Sequence, residues 1–189
     1  MSDLNLAEVN IRPAEEKDYE AITALCDLRF GEGYIDHEEF SHWREYPELF
    51  LALDYKGEFV GYVCILPSTP EIVCKNMQLP LDEIKRECEG KKVIRCRSAV
   101  LREEFEHMGF MRMLWERVFE NAAKLGYGIA YCPAWKYNGF VPMDHLLTQL
   151  GFVAIAQREM LWYNEEKYTC VICGGRCKCP AVVYRLDIL

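Results

Sequence analysis

The chain has 189 residues, 51% hydrophobic and 28% charged, which is a globular composition with room for one sizeable core but not for two ordinary domains and a linker. A formal net charge of −8 argues against partners that need a basic face, nucleic acid and anionic membrane among them. No apolar run approaches the ~20 residues of a membrane span, and the acidic opening MSDLNLAEVNIRPAEEKD has no signal-like stretch, so a cytoplasmic location with reduced thiols is expected.

In chain order, VNIRPA reads as a short strand ending at Pro13, after which Asp18 can cap a helix, DYEAITALCDLRF, with Ile22, Leu25 and Cys26 on one face. GEGYIDHEEFSHWREYPELF holds a second short helix between loops. LFLALDYKGEFVGYVCILP has the pattern of a β-hairpin turning at Asp54–Gly57. Segment 68–91 carries two prolines and several charges, with one helix expected at LDEIKREC. KKVIRCRSAVL is β-branched and alternating, a strand with Arg95 and Arg97 on one face and Ile94, Cys96 and Ser98 on the other.

The clearest helix is FMRMLWERVFENAAKLG, where Met111, Leu114, Trp115, Val118, Phe119, Ala122 and Leu125 recur at three- and four-residue steps. Glu120 and Lys124 are spaced for an i,i+4 pair, and Gly126 stops the helix. A strand at YGIAYCPAW, a short helix at PMDHLLTQLG, a strand over 152–163 and a closing strand over 181–189 follow. Strands alternating with helices and ending on a hairpin predict one α/β (α+β) domain over 1–189, a mixed sheet with helices on both faces.

The joint between the KKVIRCRSAVL strand and the long helix is the candidate site. A helix N-terminus offers unpaired N–H groups and partial positive charge to an anion, and Gly109 removes a side chain where this helix starts, with Arg112 in the first turn. A plain turn glycine gives the same single letter.

With its surroundings, this joint resembles the GNAT superfamily of N-acyltransferases. The likeness runs from IRPAEEKDYEAITAL through SAVLREEFEHMGFMRMLWERVFENAAKLG to LLTQLGF, roughly residues 9–163, plus the last strand. It implies a mostly antiparallel sheet with a V-shaped splay between two central strands. It also implies acetyl-CoA as cosubstrate, its pyrophosphate on backbone amides of His107, Met108, Gly109, Phe110, Met111 and Arg112. The pantetheine arm would lie beside Ala99, Val100 and Leu101, within reach of Asn138, which in YNG is equally a turn residue. The family's Gln/Arg-x-x-Gly-x-Gly/Ala loop is matched here only at the central glycine, because Glu106 and Met111 occupy the flanking positions.

Acetyl transfer to an amine needs a group to protonate the leaving thiolate. The tyrosine the family often places four residues before the glycine of LGF is Leu147 here. Tyr137 and His145 are the candidate replacements, with Tyr131 nearby; His145 equally reads as a helix-surface residue beside Asp144. The strand before the cradle has no acid. Its Arg95 and Arg97 either clamp a carboxylate-bearing acceptor or pair with acids from neighbouring helices. The acceptor itself, a small-molecule or peptide amine, leaves no legible mark, and neither does the oligomeric state.

Four of the ten cysteines, Cys170, Cys173, Cys177 and Cys179, fall within one short stretch before the last strand. Four soft ligands with no open position suit a closed structural site, zinc first, with an iron–sulfur cluster or a redox dithiol as alternatives. Cys74 or Cys88 can substitute for one ligand. Segment 164–180 then reads as an insert whose metal would fix a long connection, which the resemblance places beside the acceptor side of the cleft. Two non-catalytic readings accompany this one: an acyl-CoA or metal sensor with a degraded cradle, and an interaction protein that docks through the cysteine hairpin.

Overall fold

The computed structural model describes residues 5–188; residues 1–4 and Leu189, the last position of the expected closing strand, lie outside that range. β1 (Val9–Pro13) leads into α1 (Tyr19–Arg29) and α2 (His37–Arg44), then the hairpin of β2 (Phe50–Tyr55) and β3 (Glu58–Ser68). α3 (Pro70–Met77) and α4 (Leu81–Glu87) precede β4 (Lys92–Leu101). Then come α5 (Phe110–Lys124), β5 (Tyr127–Trp135), α6 (Asp144–Gln149), β6 (Val153–Arg158) and β7 (Ala181–Asp187). The strands form one 7-stranded sheet in the order β1-β2-β3-β4-β5-β7-β6. Every adjacent pair is antiparallel except β4–β5.

Local chemistry explains most boundaries. Lys56 and Gly57 both take positive φ, 54° and 79°, the primed turn that matches the twist of β2 and β3. Asp36 caps α2 by accepting from the Glu39 N–H at 2.8 Å. Asp18 was expected to cap α1 in the same way but does not. Its carboxylate instead accepts from the Arg12 guanidinium at 2.6 and 2.9 Å and from the Glu15 N–H at 2.8 Å. Arg12 also holds Asp54 at 2.7 Å, so one β1 side chain ties the start of α1 to β2.

Three further expectations change. α3 is an additional helix: Thr69 accepts from the Ile72 N–H at 3.3 Å and Pro70 takes the first helical position, so the prolines of this segment open helices. β6 ends at Arg158 instead of 163, and Met160 with φ 52° begins the departure from the sheet. On α5, Leu125 is exposed past the helix end, Met111 is half-buried, and Glu120 pairs with Arg117 at 3.6 Å.

α5 and α6 cover one face of the sheet, where Phe110, Leu114, Trp115, Val118, Ala122 and Leu147 pack on Leu53, Val63, Ile65 and Ile94. α1 and α2 cover the other, with Ile22, Cys26, Phe40 and Trp43 against Phe50, Tyr62, Cys64 and Leu66. α3 and α4 lie beside them on that second face, over Val93, Ile129, Tyr131 and Val183. Outside the terminal segment all cysteines but the half-exposed Cys74 are buried, as expected for small apolar fillers.

Two irregularities position the site. β4 and β5 pair only from Lys92↔Tyr127 to Arg95↔Tyr131. Beyond that rung β4 continues on β3 as far as Leu101 and β5 continues on β7 as far as Trp135, so the two strands open into a V. β4 is also bulged: Ile65 pairs with Cys96 but Cys64 with Ser98, leaving Arg97 as the extra residue. The bulge moves Ser98 to the face of Arg95 and Arg97, not to that of Cys96 as strict alternation implies.

Candidate active site

The open end of the V leads to the start of α5. Ala99, Val100 and Leu101 pair with Val63, Tyr62 and Gly61 of β3, and no strand among the described residues pairs with their β5-side edge. An unpaired edge of this kind presents N–H and C=O groups to an extended ligand. From Leu101 the chain passes through a short 3₁₀ turn, Glu103–Phe105, and reaches α5 through two left-handed residues, His107 (φ 62°) and Gly109 (φ 88°). Gly109 is the N-cap, and among the described residues no side chain caps the start of this helix. A Cβ placed on Gly109 would meet nothing within 4 Å among the described residues, so the space beside the N-cap is empty.

The side chains of this loop are turned to other tasks. Phe110 is buried in the core and anchors the first turn. Met108 is half-buried against the same cluster. Met111 leans along the helix to accept from Trp115 Nε1 at 3.2 Å. Glu106 pairs with Arg29 of α1. Arg112 donates to Gln149 of α6 and lies 3.6 Å from Glu116. Both departures from the family's loop pattern are therefore accommodated: one acid is neutralised, and one bulky residue is drawn back onto the helix.

Where the V begins to open, the second face of the sheet carries a polar cluster that the sequence only hinted at. Arg97 donates to Glu39 of α2 at 2.8 and 3.1 Å, and its guanidinium lies over the rings of Tyr34 and Trp43, 4.7 and 5.3 Å from their centroids. Burial opposes the Arg97 charge, but Tyr34 and Glu39 outweigh it and hold the group firmly protonated. Lys167 also pairs with Glu39. Ser98 and Tyr62 share a hydrogen bond of 2.8 Å, and Tyr62 reaches Cys26 Sγ at 2.9 Å. Burial pushes the Cys26 thiol up to about 12, which keeps it a neutral packing group.

The proton-carrying candidates are spread apart. Tyr137 follows the end of β5, half-buried, stacked on Trp135 with centroids 5.4 Å apart. Asn138 (φ 49°) and Gly139 (φ 85°) are the central residues of a tight turn closed by the Tyr137 N–H to Phe140 carbonyl bond at 2.8 Å. Asn138 thus occupies the turn position that its sequence also suggested. His145 is on the exposed side of α6, while Leu147 faces the core. Tyr131, on the last rung before the V, is buried and donates to Glu87 at 2.7 Å; burial and that bond raise its pKa and make it a poor acid.

The four clustered cysteines converge, with Cys74 and Cys88 elsewhere in the fold. All four Sγ atoms lie within 4.8 Å of one another, and Cys173 and Cys179 are 3.6 Å apart. A tetrahedron with metal–sulfur bonds of about 2.3 Å has edges of about 3.8 Å, so the donor set fits a zinc-sized ion. Backbone supports it: Lys178 N–H donates to Cys173 Sγ at 3.2 Å, and Gly174 (φ 63°) turns the chain between the pairs. Burial acts to raise the Cys170 thiol, but the Cys173 and Ile172 N–H groups and the neighbouring thiols overcome it and lower the pKa. Cys177 and Cys179 are raised, chiefly by burial.

This knuckle touches β5 and the α1–α2 loop. It packs on Trp135 of β5 and on Trp162 and Tyr168. It is also bonded to the α1–α2 loop, Thr169 N–H to the Glu32 carbonyl at 3.2 Å and Val171 N–H to the Phe30 carbonyl at 3.1 Å. A Cβ on Gly31 (φ 135°) would lie 1.7 Å from the Thr169 carbonyl oxygen, so only glycine permits this approach.

No curated protein matches the chain. Among solved structures, Ard1 from Thermoplasma volcanium superposes with a TM-score of 0.69 at 16% identity, covering 96% of this chain and 99% of that one. The yncA protein of Salmonella typhimurium, solved with its cofactor acetyl-CoA, gives 0.65 at 17%, covering 96% and 95%. A Drosophila melanogaster polyamine N-acetyltransferase that forms N-acetylagmatine gives 0.66 at 10%, covering 95% and 99%. At these identities the likeness establishes the shared fold. Residues 16–152 match the model of the acetyltransferase (GNAT) family, and with the forked sheet and the glycine-capped helix in place, the chain belongs to that family as an N-acetyltransferase.

Proposed function

We propose that the chain, as one domain with residues 164–180 as an insert, transfers an acetyl group from acetyl-CoA to a small-molecule or peptide amine by direct attack. The observation that carries this reading is the lapse of β4–β5 pairing beyond the Arg95–Tyr131 rung, on the strand that leads to the bare Gly109 start of α5. Acetyl-CoA supplies a thioester: the amine–carbon bond forms as the carbon–sulfur bond breaks, and the proton lost by nitrogen ends on the CoA thiol.

The chain's own part is largely positional. Backbone amides of Gly109, Phe110, Met111 and Arg112 hold the pyrophosphate at a positive helix end. The free edge of Ala99, Val100 and Leu101 bonds the pantetheine amides as an added strand would. Holding both reactants at the bottom of a narrow fork replaces a bimolecular encounter by an oriented one, which can supply several powers of ten in rate. Tyr137 is assigned the return of the proton to sulfur, because it adjoins the β5 arm while His145 projects from α6 into solvent. The knuckle holds a structural zinc ion with Cys170, Cys173, Cys177 and Cys179 and braces the acceptor side.

Thiol release from acetyl-CoA over a panel of amines tests the reading, with Gly109→Asp as the control. Acetyl-CoA should stabilise the wild type thermally and the variant much less. Equal stabilisation of both would rule out the cradle.

A further inference from the structure

Two arginines on β4 face the same side of the sheet, and only one is paired. Arg97 is engaged by Glu39, Tyr34 and Trp43. Arg95, two residues earlier, makes no hydrogen bond or ion pair among the described residues, although it is only partly exposed. Its position is specific. Arg95 pairs with Leu66 on β3 and with Tyr131 on β5, the final rung before the V opens. On its face it lies in the seam between the α1–α2 cluster, which holds Leu66 and Cys64, and the α3–α4 cluster, which holds Val93 and Tyr131.

The charges around this seam do not balance. Arg95, Arg97 and Lys167 bring three cations, and Glu39, already shared by two of them, is their one carboxylate partner among the described residues. Glu87 of α4, the acid beside Tyr131, accepts from that tyrosine and lies 3.7 Å from Arg185. The hydroxyls of Tyr34 and Tyr131 are held neutral, so they add no negative charge. In a chain of net charge −8, an uncompensated positive floor beside the fork is a local exception. A half-buried guanidinium lacking an internal partner is stabilised by a ligand oxyanion, and its planar fork matches a carboxylate.

We propose that Arg95 is an acceptor-binding residue and that the amine acetylated here also carries a carboxylate. The inference rests on the acetyltransferase reading above and narrows it: polyamines are disfavoured by the same charges. The carboxylate has two possible sources, the main-chain carboxylate of a free amino acid and the acidic side chain of a peptide's first residues.

The test measures thiol release and, with CoA present, acceptor binding by calorimetry. Glycine, β-alanine and L-glutamate are each compared with their carboxamides, an Asp-first tripeptide with its Asn-first counterpart, and spermidine is included. Wild type should favour each preferred carboxylate by about 10- to 100-fold in kcat/KM. Arg95→Met should bring that ratio to about one, mostly through KM, and Arg95→Lys should retain part of it. Preference among the free amino acids or among the tripeptides identifies the source. Equal use of carboxylates and carboxamides, better use of spermidine, or an unchanged ratio in Arg95→Met overturns the proposal while leaving the transferase reading intact. Absence of acetyl-CoA stabilisation together with absence of thiol release overturns both.

Discussion

The two ends of the candidate site are built on opposite principles. The proposed cofactor end, from Leu101 to Arg112, would work through backbone: a strand edge left unpaired among the described residues, a left-handed glycine and the first amides of a helix, while its side chains are anchored elsewhere. The proposed acceptor end would work through side chains, because the knuckle is defined by four thiols and the seam by two arginines, a glutamate and a lysine. A backbone site tolerates substitution at most of its positions and is vulnerable where the chain must be bare. A side-chain site fails when any ligand is lost.

That contrast orders the expected effects. The largest belongs to the knuckle. Cys177→Ser, or a chelator, should remove one equivalent of bound zinc by elemental analysis and lower Tm by roughly 5–15 °C. If Tm is unchanged after chelation, the four thiols do not brace the fold. Next is Gly109→Asp, which sets a carboxylate at the amides: acetyl-CoA affinity should fall about 10- to 100-fold in calorimetry with little change in Tm. Gly109→Ala should cost only about 1 kcal/mol, from positive φ in open space. Parity between Asp and Ala would undo the distinction between the two ends.

Gly31→Ala tests the link between them. The added Cβ clashes with the Thr169 carbonyl, so Tm should drop by roughly 5 °C and reaction of the cysteines with a thiol reagent should quicken. Unaltered thiol reactivity would mean that the knuckle holds its place without the α1–α2 loop. A smaller effect comes from pH. Burial raises the Asp18 and Glu39 carboxyls, but Arg12 and the Glu15 N–H for one, and Arg97 and Lys167 for the other, bring both below their ordinary values. Their stabilisation is complete above the unfolded carboxylate range, about pH 4–5. It is lost as pH falls through the lower folded-state values, so Arg12→Met should flatten the acid limb of a Tm-against-pH curve. Smallest is Glu106→Gln, which frees Arg29 and removes a negative charge near the cradle; acetyl-CoA should bind about two- to threefold more tightly.

Much of this was legible in the order of residues. The periodicity of 110–124, the turn within Asp54–Gly57 and the alternation of 92–101 are local patterns, and local hydrogen bonding and face burial decide them. The misses were also physical. Asp18 has a capping residue's letter but found a stronger partner in Arg12, distant in local geometry. The Thr69-Pro70 start of α3 was a readable cap and first-turn proline, obscured because proline also breaks helices. Ser98 changed face because a bulge inserts a residue without any mark in its own strand. Arg95 and Arg97 look alike in sequence, and which one is paired depends on α2, more than 50 positions away.

The sequence by itself determined what neighbouring residues can settle: the amphipathic helix, its bare glycine start, and four thiols close enough in the chain to meet around one ion. The tertiary structure alone decided that β4 and β5 part after Arg95, that the knuckle docks on the α1–α2 loop, and that Arg95 has no partner among the described residues. Those outcomes turn on strand register and on contacts between remote segments, and no window of sequence contains both sides of such a contact.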